Sequence, residues 1–146
     1  MKQGVFEVLE NRRIARNTRL MRLAGDTSAF TAPGQFMEIR LEGFYLRRPF
    51  SVCEWTDGVM TVVYKTVGAG TKAMENIRKG AALDILTGLG NGYSLDKAGD
   101  KPLLIGGGAG VPPLYMLCKA LVAQGARPAV ALGFGSADEV FFEEEF

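Results

Sequence analysis

The pattern of apolar residues changes once, near residue 100, and this change limits the folds open to the chain. Before it, short runs of β-type composition alternate with turn residues, as in an antiparallel barrel or sandwich. After it, an apolar run at 102–105 is followed by a glycine-rich loop, a helical run at 112–124 and another apolar run at 128–134. That order predicts a β-α-β unit with parallel strands.

Five β-type runs precede residue 65, and one more follows a short helix. The runs fall at residues 5–9, 18–23, 35–41, 49–54, 59–64 and 82–86, and the helix at 71–78. Asp57-Gly58 is a hairpin signal between two of the runs. The sequence therefore predicts a mainly β protein with a partial α/β part. We expect a six-stranded antiparallel barrel domain in residues 1–98 and an incomplete nucleotide-binding α/β domain in residues 99–146, with a further helix beginning at 138.

Composition excludes several classes of function. The chain has 146 residues, 47% of them hydrophobic, which is enough for a buried core, and its net charge of +1 gives no overall attraction to nucleic acid. No apolar run approaches the ~18 residues that a membrane span needs, and acidic residues follow Met1 too soon for a signal peptide. These observations predict a soluble, cytoplasmic protein without nucleic-acid or membrane partners.

The chain offers few groups for acid–base or metal chemistry. It has no histidine, which excludes Ser-His-Asp and Cys-His catalysis and any His-ligated metal. Cys53 and Cys118 lack C-x-x-C spacing, so we interpret both as buried free thiols. We assign no catalytic residue and no metal ligand. The chemistry must then belong to a bound cofactor.

Two segments, RRPFS at 47–51 and GAGT at 68–71, have the composition of a clamp for a flavin dinucleotide. Such a ligand needs a cation for its pyrophosphate, a hydroxyl and apolar surface beside its ring, and glycines where backbone N–H groups approach phosphate. We interpret Arg47 as an ordinary surface residue. Because Pro49 restricts the backbone, we expect Arg48 and Ser51 to share a face. The residues that supply the clamp are Arg48, Phe50, Ser51, Gly70 and Thr71.

A glycine loop at 106–110 follows a predicted strand and opens a predicted helix, which is the setting of a dinucleotide loop. It is not a G-x-G-x-x-G, and no acidic ribose partner follows about 20 residues later, so a strict Rossmann fingerprint is not met. Close packing of helix on strand is the alternative explanation. The glycines at 88–93 are interpreted as a crossing between the two parts of the chain.

Taken in order, the motifs at 47–51, 63–65, 68–71, 88–93 and 104–115 resemble the ferredoxin–NADP reductase superfamily, and within it the electron-transfer subunits of type B dihydroorotate dehydrogenase. The resemblance implies FAD, with Arg48 at its phosphates and Ser51 near N5 of its ring. Phe50 replaces the superfamily's usual tyrosine. The resemblance also implies that the backbone at 63–65 and the Tyr64 ring contact the flavin and that the GAGT segment binds phosphate. It further implies that the glycine loop at 106–110 faces NAD. The implied binding residues are Arg48, Pro49, Phe50, Ser51, Val63, Tyr64, Lys65, Gly70, Thr71, Gly106, Gly107, Gly108 and Gly110.

The family's activity follows from the same resemblance. Hydride passes from NADH to FAD, and single electrons pass through a [2Fe-2S] centre to the FMN of a catalytic subunit that oxidises dihydroorotate in pyrimidine biosynthesis. The cluster's cysteines are absent here, and two parallel strands are fewer than a nucleotide-binding domain needs. We therefore expect a C-terminally truncated fragment with apolar surface exposed at 103–105 and 129–134, and possible association with another copy.

Two alternatives stay open. The chain could belong to another NAD(P)H-linked reductase subunit, such as one feeding a glutamate synthase-like or sulfide-dependent enzyme, although RPFS favours the dihydroorotate family. It could also be a non-catalytic module that holds FAD or assembles subunits.

Overall fold

The computed structural model describes residues 1–146. Two 3₁₀ turns, at Leu95–Lys97 and Gly108–Gly110, join regular elements, and a third, at Ala137–Glu139, follows the last strand. Neither α-helix is long and apolar enough to cross a membrane. The elements, in chain order, are β1 (Lys2–Ala15), β2 (Thr18–Ala24), β3 (Phe36–Ile39), β4 (Arg48–Thr56), β5 (Val59–Lys65), α1 (Ala69–Met74), β6 (Ala82–Leu89), β7 (Leu103–Gly107), α2 (Pro112–Ala123) and β8 (Ala129–Gly133).

The first six strands form a closed antiparallel barrel in the order β1-β2-β5-β4-β3-β6. This confirms the predicted six-stranded barrel. β1 is longer than predicted because it pairs twice, with β6 from Lys2 to Glu7 and with β2 from Glu7 to Ala15. Asp57 and Gly58 make the expected two-residue turn between β4 and β5, and Gly58 has a left-handed φ of +79° that favours glycine.

The barrel interior is filled by side chains from alternate positions of its strands. Met21 and Leu23 of β2 stand directly across from Val62 and Met60 of β5, and all four are fully buried. Cross-strand neighbours share a face, so each pair packs inside the barrel. Burying a side chain of this size stabilises the fold by about 1.5–3 kcal/mol.

The helix α1 closes one end of the barrel. Its Met74 is fully buried in the barrel core. The predicted helix at 71–78 was wrong in extent, since α1 ends at Met74 and residues 75–77 form tight turns. A side chain from β1 explains the stop: Asn11 Nδ2 donates to the carbonyls of Met74 and Ile77 at 2.8 and 2.9 Å. A continuing helix would need the Met74 carbonyl for residue 78.

The strands β7 and β8 are parallel, with Leu103 across from Ala129. The helix α2 covers one face of this sheet and buries Leu104, which is 7% exposed. The opposite face stays open, with Leu103 62% and Ile105 72% exposed. The expectation of exposed apolar surface at 103–105 was therefore wrong for Leu104, because successive residues of a strand point to opposite faces.

The segment after β8 does not form the helix that we expected from residue 138. A 3₁₀ turn at Ala137–Glu139 is followed by extended backbone at Val140, and Phe142 has a left-handed φ of +64°. Phe141 is 6% exposed and belongs to the apolar cluster between barrel and β-α-β unit. The Arg16 amide donates to the Asp138 carbonyl at 2.8 Å. Contacts with the barrel outweigh helix propensity here.

The open face of β7 should bind apolar probes. Replacing Leu103 and Ile105 together by lysine should lower the fluorescence of bound 8-anilinonaphthalene-1-sulfonate, because the variant removes neighbouring exposed apolar side chains. Val5→Lys is the matched control, since Val5 is 71% exposed on the barrel. Equal dye fluorescence from the double variant and the wild type, with unchanged circular dichroism, would show that this face does not bind the dye.

Candidate dinucleotide site

Arg48 stands at the start of β4 as a cation without a counter-ion. Its Nη1 donates to the Leu46 carbonyl at 2.7 Å, and its Cζ lies 5.1 Å from the centre of the Phe44 ring. It takes part in none of the ion pairs of the structure. A guanidinium bound to neutral groups keeps its full charge for an anion.

The first turn of α1 lies against this guanidinium. A Cβ on Gly70 would stand 2.7 Å from Arg48 Nε, so the absence of a side chain at Gly70 allows the contact. As early helical residues, Gly70 and Thr71 have N–H groups without intrahelical acceptors. The Thr71 hydroxyl accepts hydrogen bonds from the Val67 and Gly68 amides at 3.0 and 3.1 Å. It therefore shapes the loop, and the segments at 47–51 and 68–71 meet at one place.

Arg47 is not the ordinary surface residue that we expected. Its Nη2 donates to both carboxylate oxygens of Asp84 at 3.0 Å, and its Nη1 donates to the Asp84 carbonyl at 3.0 Å. Partial burial acts to raise the pKa of Asp84, but hydrogen bonds from Gln3 and Arg47 and the charges of Arg47 and Arg40 lower it overall. Arg47 is thus neutralised, whereas Arg48 is not.

Arg48 and Ser51 project from opposite faces of β4. Arg48 lies across from Ile39 and Ser51 across from Phe36, and an odd spacing of three residues reverses the direction of the side chain. The expectation of a shared face was therefore wrong. Ser51 is half-buried and its hydroxyl makes no hydrogen bond within the protein, and Pro49, two residues earlier, is exposed.

The aromatic residues of the two strands support the site from inside the barrel. The Phe50 and Tyr64 rings meet edge to face with centroids 5.9 Å apart. Tyr64 is 2% exposed, and its hydroxyl donates to Asn11 Oδ1 at 3.0 Å. Burial raises the pKa of Tyr64. Because the ring is enclosed, this structure does not support the predicted contact between the Tyr64 ring and a flavin.

Lys65 connects the barrel to the glycine loop. Its Nζ lies 3.1 Å from Glu139 Oε2, and a Cβ on Gly108 would be 3.9 Å from the same Nζ. Arg16 Nη2 also lies 3.3 Å from Glu139 Oε1. The hydrogen bond from Lys65, with that from Arg16 and both charges, lowers the pKa of Glu139. Val63 of the same strand is 7% exposed, in the cluster that joins barrel and β-α-β unit.

The glycines of the loop at 106–110 differ in role. A Cβ on Gly106 would lie 2.7 Å from Leu114 Cδ1 and 3.1 Å from the Gly110 carbonyl oxygen, so Gly106 serves the close packing of α2 on β7. Gly107 and Gly110 are exposed, and Gly108 has a left-handed φ of +49°. These three leave backbone open to an approaching ligand.

Several residues that build the site escaped the sequence analysis. Asn11 accepts from Tyr64 and from Arg19 Nε and caps the carbonyls of α1. Asn11 lies beyond the run predicted at 5–9, so the sequence pattern gave no signal for it. Asp84 gave no signal, because its partners Gln3 and Arg47 are distant in sequence, and Phe44 contacts Arg48 only four residues away. Both cysteines are buried free thiols, as expected.

Comparison with known proteins shows which of them the chain resembles. No family model matches the chain. It is 45% identical over 155 aligned positions to the dihydroorotate dehydrogenase B (NAD⁺) electron transfer subunit of Fusobacterium nucleatum, covering all of this chain and 60% of that protein. The subunit of the same name from Shouchella clausii is 39% identical, with 99% of this chain and 59% of that protein covered. The chain thus spans about 60% of the length of these relatives.

Solved structures of reductases share the fold of this chain. The structure of NADH-dependent reduced ferredoxin-NADP oxidoreductase superposes with a TM-score of 0.88 at 28% identity, covering 98% of this chain and 53% of that one. Phthalate dioxygenase reductase shares the fold, with a TM-score of 0.81 at 20% identity over 98% of this chain and 47% of that one. The barrel and the strand–glycine loop–helix unit have the ferredoxin reductase-like fold.

The relatives found by sequence comparison share one name. Over its whole length the chain is similar to dihydroorotate dehydrogenase B electron transfer subunits.

The contact between Glu139 and the barrel should depend on pH. Because the pKa of Glu139 is lowered in the folded state, its stabilising effect is present above its ordinary pKa of about 4.3 and is lost as the pH falls through the lowered folded-state value. The substitution Glu139→Gln should remove this stabilising effect at neutral pH as well. Hydrogen exchange of the Arg16 amide, corrected for its intrinsic rate, should then be faster than in the wild type.

Glu143→Gln is the control, because Glu143 is exposed and makes no ion pair. If the Arg16 amide exchanges equally fast in wild type and Glu139→Gln, the Glu139 contacts do not hold the segment.

Proposed function

We propose that the chain binds FAD and forms the flavin-binding part of an electron-transfer subunit. The observation that carries this proposal is the Arg48 guanidinium, which lacks a counter-ion and lies against the glycine of a helix's first turn. A cation beside unpaired N–H groups suits a pyrophosphate. When bound, a flavin would supply the redox chemistry, because it can accept two electrons from NADH and release them one at a time.

The residues present fit such a group. Arg48 and the amides of Gly70 and Thr71 would hold the pyrophosphate. The Ser51 hydroxyl, half-buried and without a protein acceptor, would donate to the polar edge of the ring. Pro49 and the backbone of Val63, Tyr64 and Lys65 would line the same surface, and Phe50 would support it from within. The Thr71 side chain would act through the loop that it shapes.

The glycine loop would take the nicotinamide nucleotide. Gly107, Gly108 and Gly110 leave backbone accessible, whereas Gly106 acts through packing. Lys65, paired with Glu139 beside Gly108, would set the position of the loop relative to the barrel. We propose NADH as the electron donor in the longer protein, in keeping with the NAD⁺ in the relatives' names.

The names of the same relatives also suggest a partner subunit. Relatives that share 39–45% of their aligned residues are named as electron transfer subunits of dihydroorotate dehydrogenase B. We propose that the whole protein passes electrons between NADH and a catalytic FMN subunit of this enzyme, in the cytoplasm and in pyrimidine biosynthesis. A [2Fe-2S] centre would be held outside this chain, because Cys53 and Cys118 are too few for its usual four thiolates.

The division into domains is also proposed. The last barrel strand ends at Leu89 and β7 begins at Leu103. The barrel and the β-α-β unit each have a buried apolar cluster. These observations support an FAD-binding domain in residues 1–98 and a nucleotide-binding portion in residues 99–146.

Arg48→Ala should weaken FAD binding by about 10- to 100-fold, since hydrogen bonds to a charged group contribute about 1.5–3 kcal/mol. Titration of the apo-protein, followed by quenching of flavin fluorescence, measures the affinity. Arg22→Ala is the matched control, because it removes the same charge from an exposed position without an ion pair. Equal FAD affinity of the wild type and Arg48→Ala would overturn the proposed phosphate site.

Gly70→Ala should weaken FAD binding without lowering the melting temperature. The new Cβ would displace Arg48, whose flexible side chain can move away, and alanine favours a helix over glycine by about 0.8–1 kcal/mol. Gly68→Ala is the control, because a Cβ there meets nothing within 4 Å. Unchanged FAD affinity in Gly70→Ala would show that the contact between Arg48 and Gly70 is not used.

A further inference from the structure

The loop between β3 and β4 carries the Arg48 guanidinium and packs on the barrel core through Leu41 and Phe44, while its tip is exposed. Tyr45 is fully exposed and Leu46 is 65% exposed. Arg48 nevertheless rests on this loop, through its hydrogen bond to the Leu46 carbonyl and its position over the Phe44 ring. The place of the guanidinium therefore depends on whatever holds the loop.

Asp84 of β6 holds both ends of the loop. Its carbonyl accepts from the Arg40 amide at 2.9 Å and from Arg47 Nη1 at 3.0 Å. Its carboxylate receives Arg47 Nη2 on both oxygens and lies 3.9 Å from Arg40 Nη1. The Arg47 and Asp84 side chains are only 21% and 28% exposed, so this is a partly buried, two-pronged pair.

The same pair decides which arginine is free for an anion. Arg47 and Arg48 are adjacent in sequence, but Asp84 neutralises only Arg47. Gln3 Nε2 donates to both oxygens of the same carboxylate, at 3.0 and 3.1 Å, which fixes its orientation. Without the carboxylate, Arg47 would lose its charged partner and the loop would lose the anchor beside Arg48.

We propose that Asp84, acting through Arg47, is a positioning residue that places Arg48 at the pyrophosphate site. The inference rests on the proposed function and extends it to residues that make no contact with the ligand. It distinguishes the two arginines of the RRPFS segment: Arg47 anchors the loop and Arg48 binds.

The test is a double-mutant cycle with two ligands. Asp84→Asn should weaken FAD binding about three- to tenfold, the range of coupling between residues in one network. It should leave riboflavin binding unchanged, because riboflavin has no phosphate, and should have no further effect in an Arg48→Ala background. Asp84→Glu should recover part of the affinity. Asp57→Asn, in the exposed β4–β5 turn, is the control.

Three outcomes would overturn the proposal: unchanged FAD affinity in Asp84→Asn, an equal loss for FAD and riboflavin, or an equal loss with and without Arg48. If Asp84→Asn does not fold, Arg47→Lys tests the same link, because lysine keeps the charge but cannot make the two-pronged contact. It should reduce FAD affinity in the same selective way, and equal losses for both ligands would again overturn the proposal.

A measurement without ligand separates this inference from the proposed function. The Arg48 Nε–H resonance of the FAD-free protein should shift or broaden in Asp84→Asn and stay in place in Asp57→Asn. Failure of the wild type to bind FAD would then overturn the proposed function alone, whereas an Arg48 resonance identical in Asp84→Asn and wild type would overturn the positioning role.

Discussion

The double pairing of β1 is the constraint on which the rest of the structure depends. One strand of 14 residues pairs with β6 along its first half and with β2 along its second, and so closes six strands into a barrel. Closure removes the exposed edges of the sheet. It also brings three connections to the same end of the barrel: the β1–β2 turn, the β3–β4 loop and the segment containing α1.

That shared end explains how residues distant in sequence form one site. Arg48 begins β4 there, and α1 lies across the opening, held by Asn11 from β1 and by its buried Met74. The ion pairs distinguish Arg48 from its cationic neighbours. Arg47, Lys65 and Arg16 each have carboxylate partners, whereas Arg48 has only carbonyls and an aromatic ring. An anion that approaches the first turn of α1 would encounter the Arg48 guanidinium without a competing carboxylate.

Sequence patterns predicted the barrel, the parallel unit and the meeting of the two clamp segments, because alternation and turn residues are local signals. Where partners come from distant elements, local signals did not suffice. Phe141 packs on the barrel in place of the helix expected from residue 138, Asp84 neutralises Arg47, and Asn11 ends α1 early. The enclosed ring of Tyr64 and the opposed directions of Arg48 and Ser51 follow from strand alternation once the register is known.

The most direct measurement of the account's central claim is a crystal structure of the protein with FAD bound. The account predicts a pyrophosphate oxygen within hydrogen-bond distance of the Arg48 guanidinium and of a first-turn amide of α1, with Arg47 still paired to Asp84. A pyrophosphate bound away from Arg48, or bound by Arg47 in its place, would contradict it.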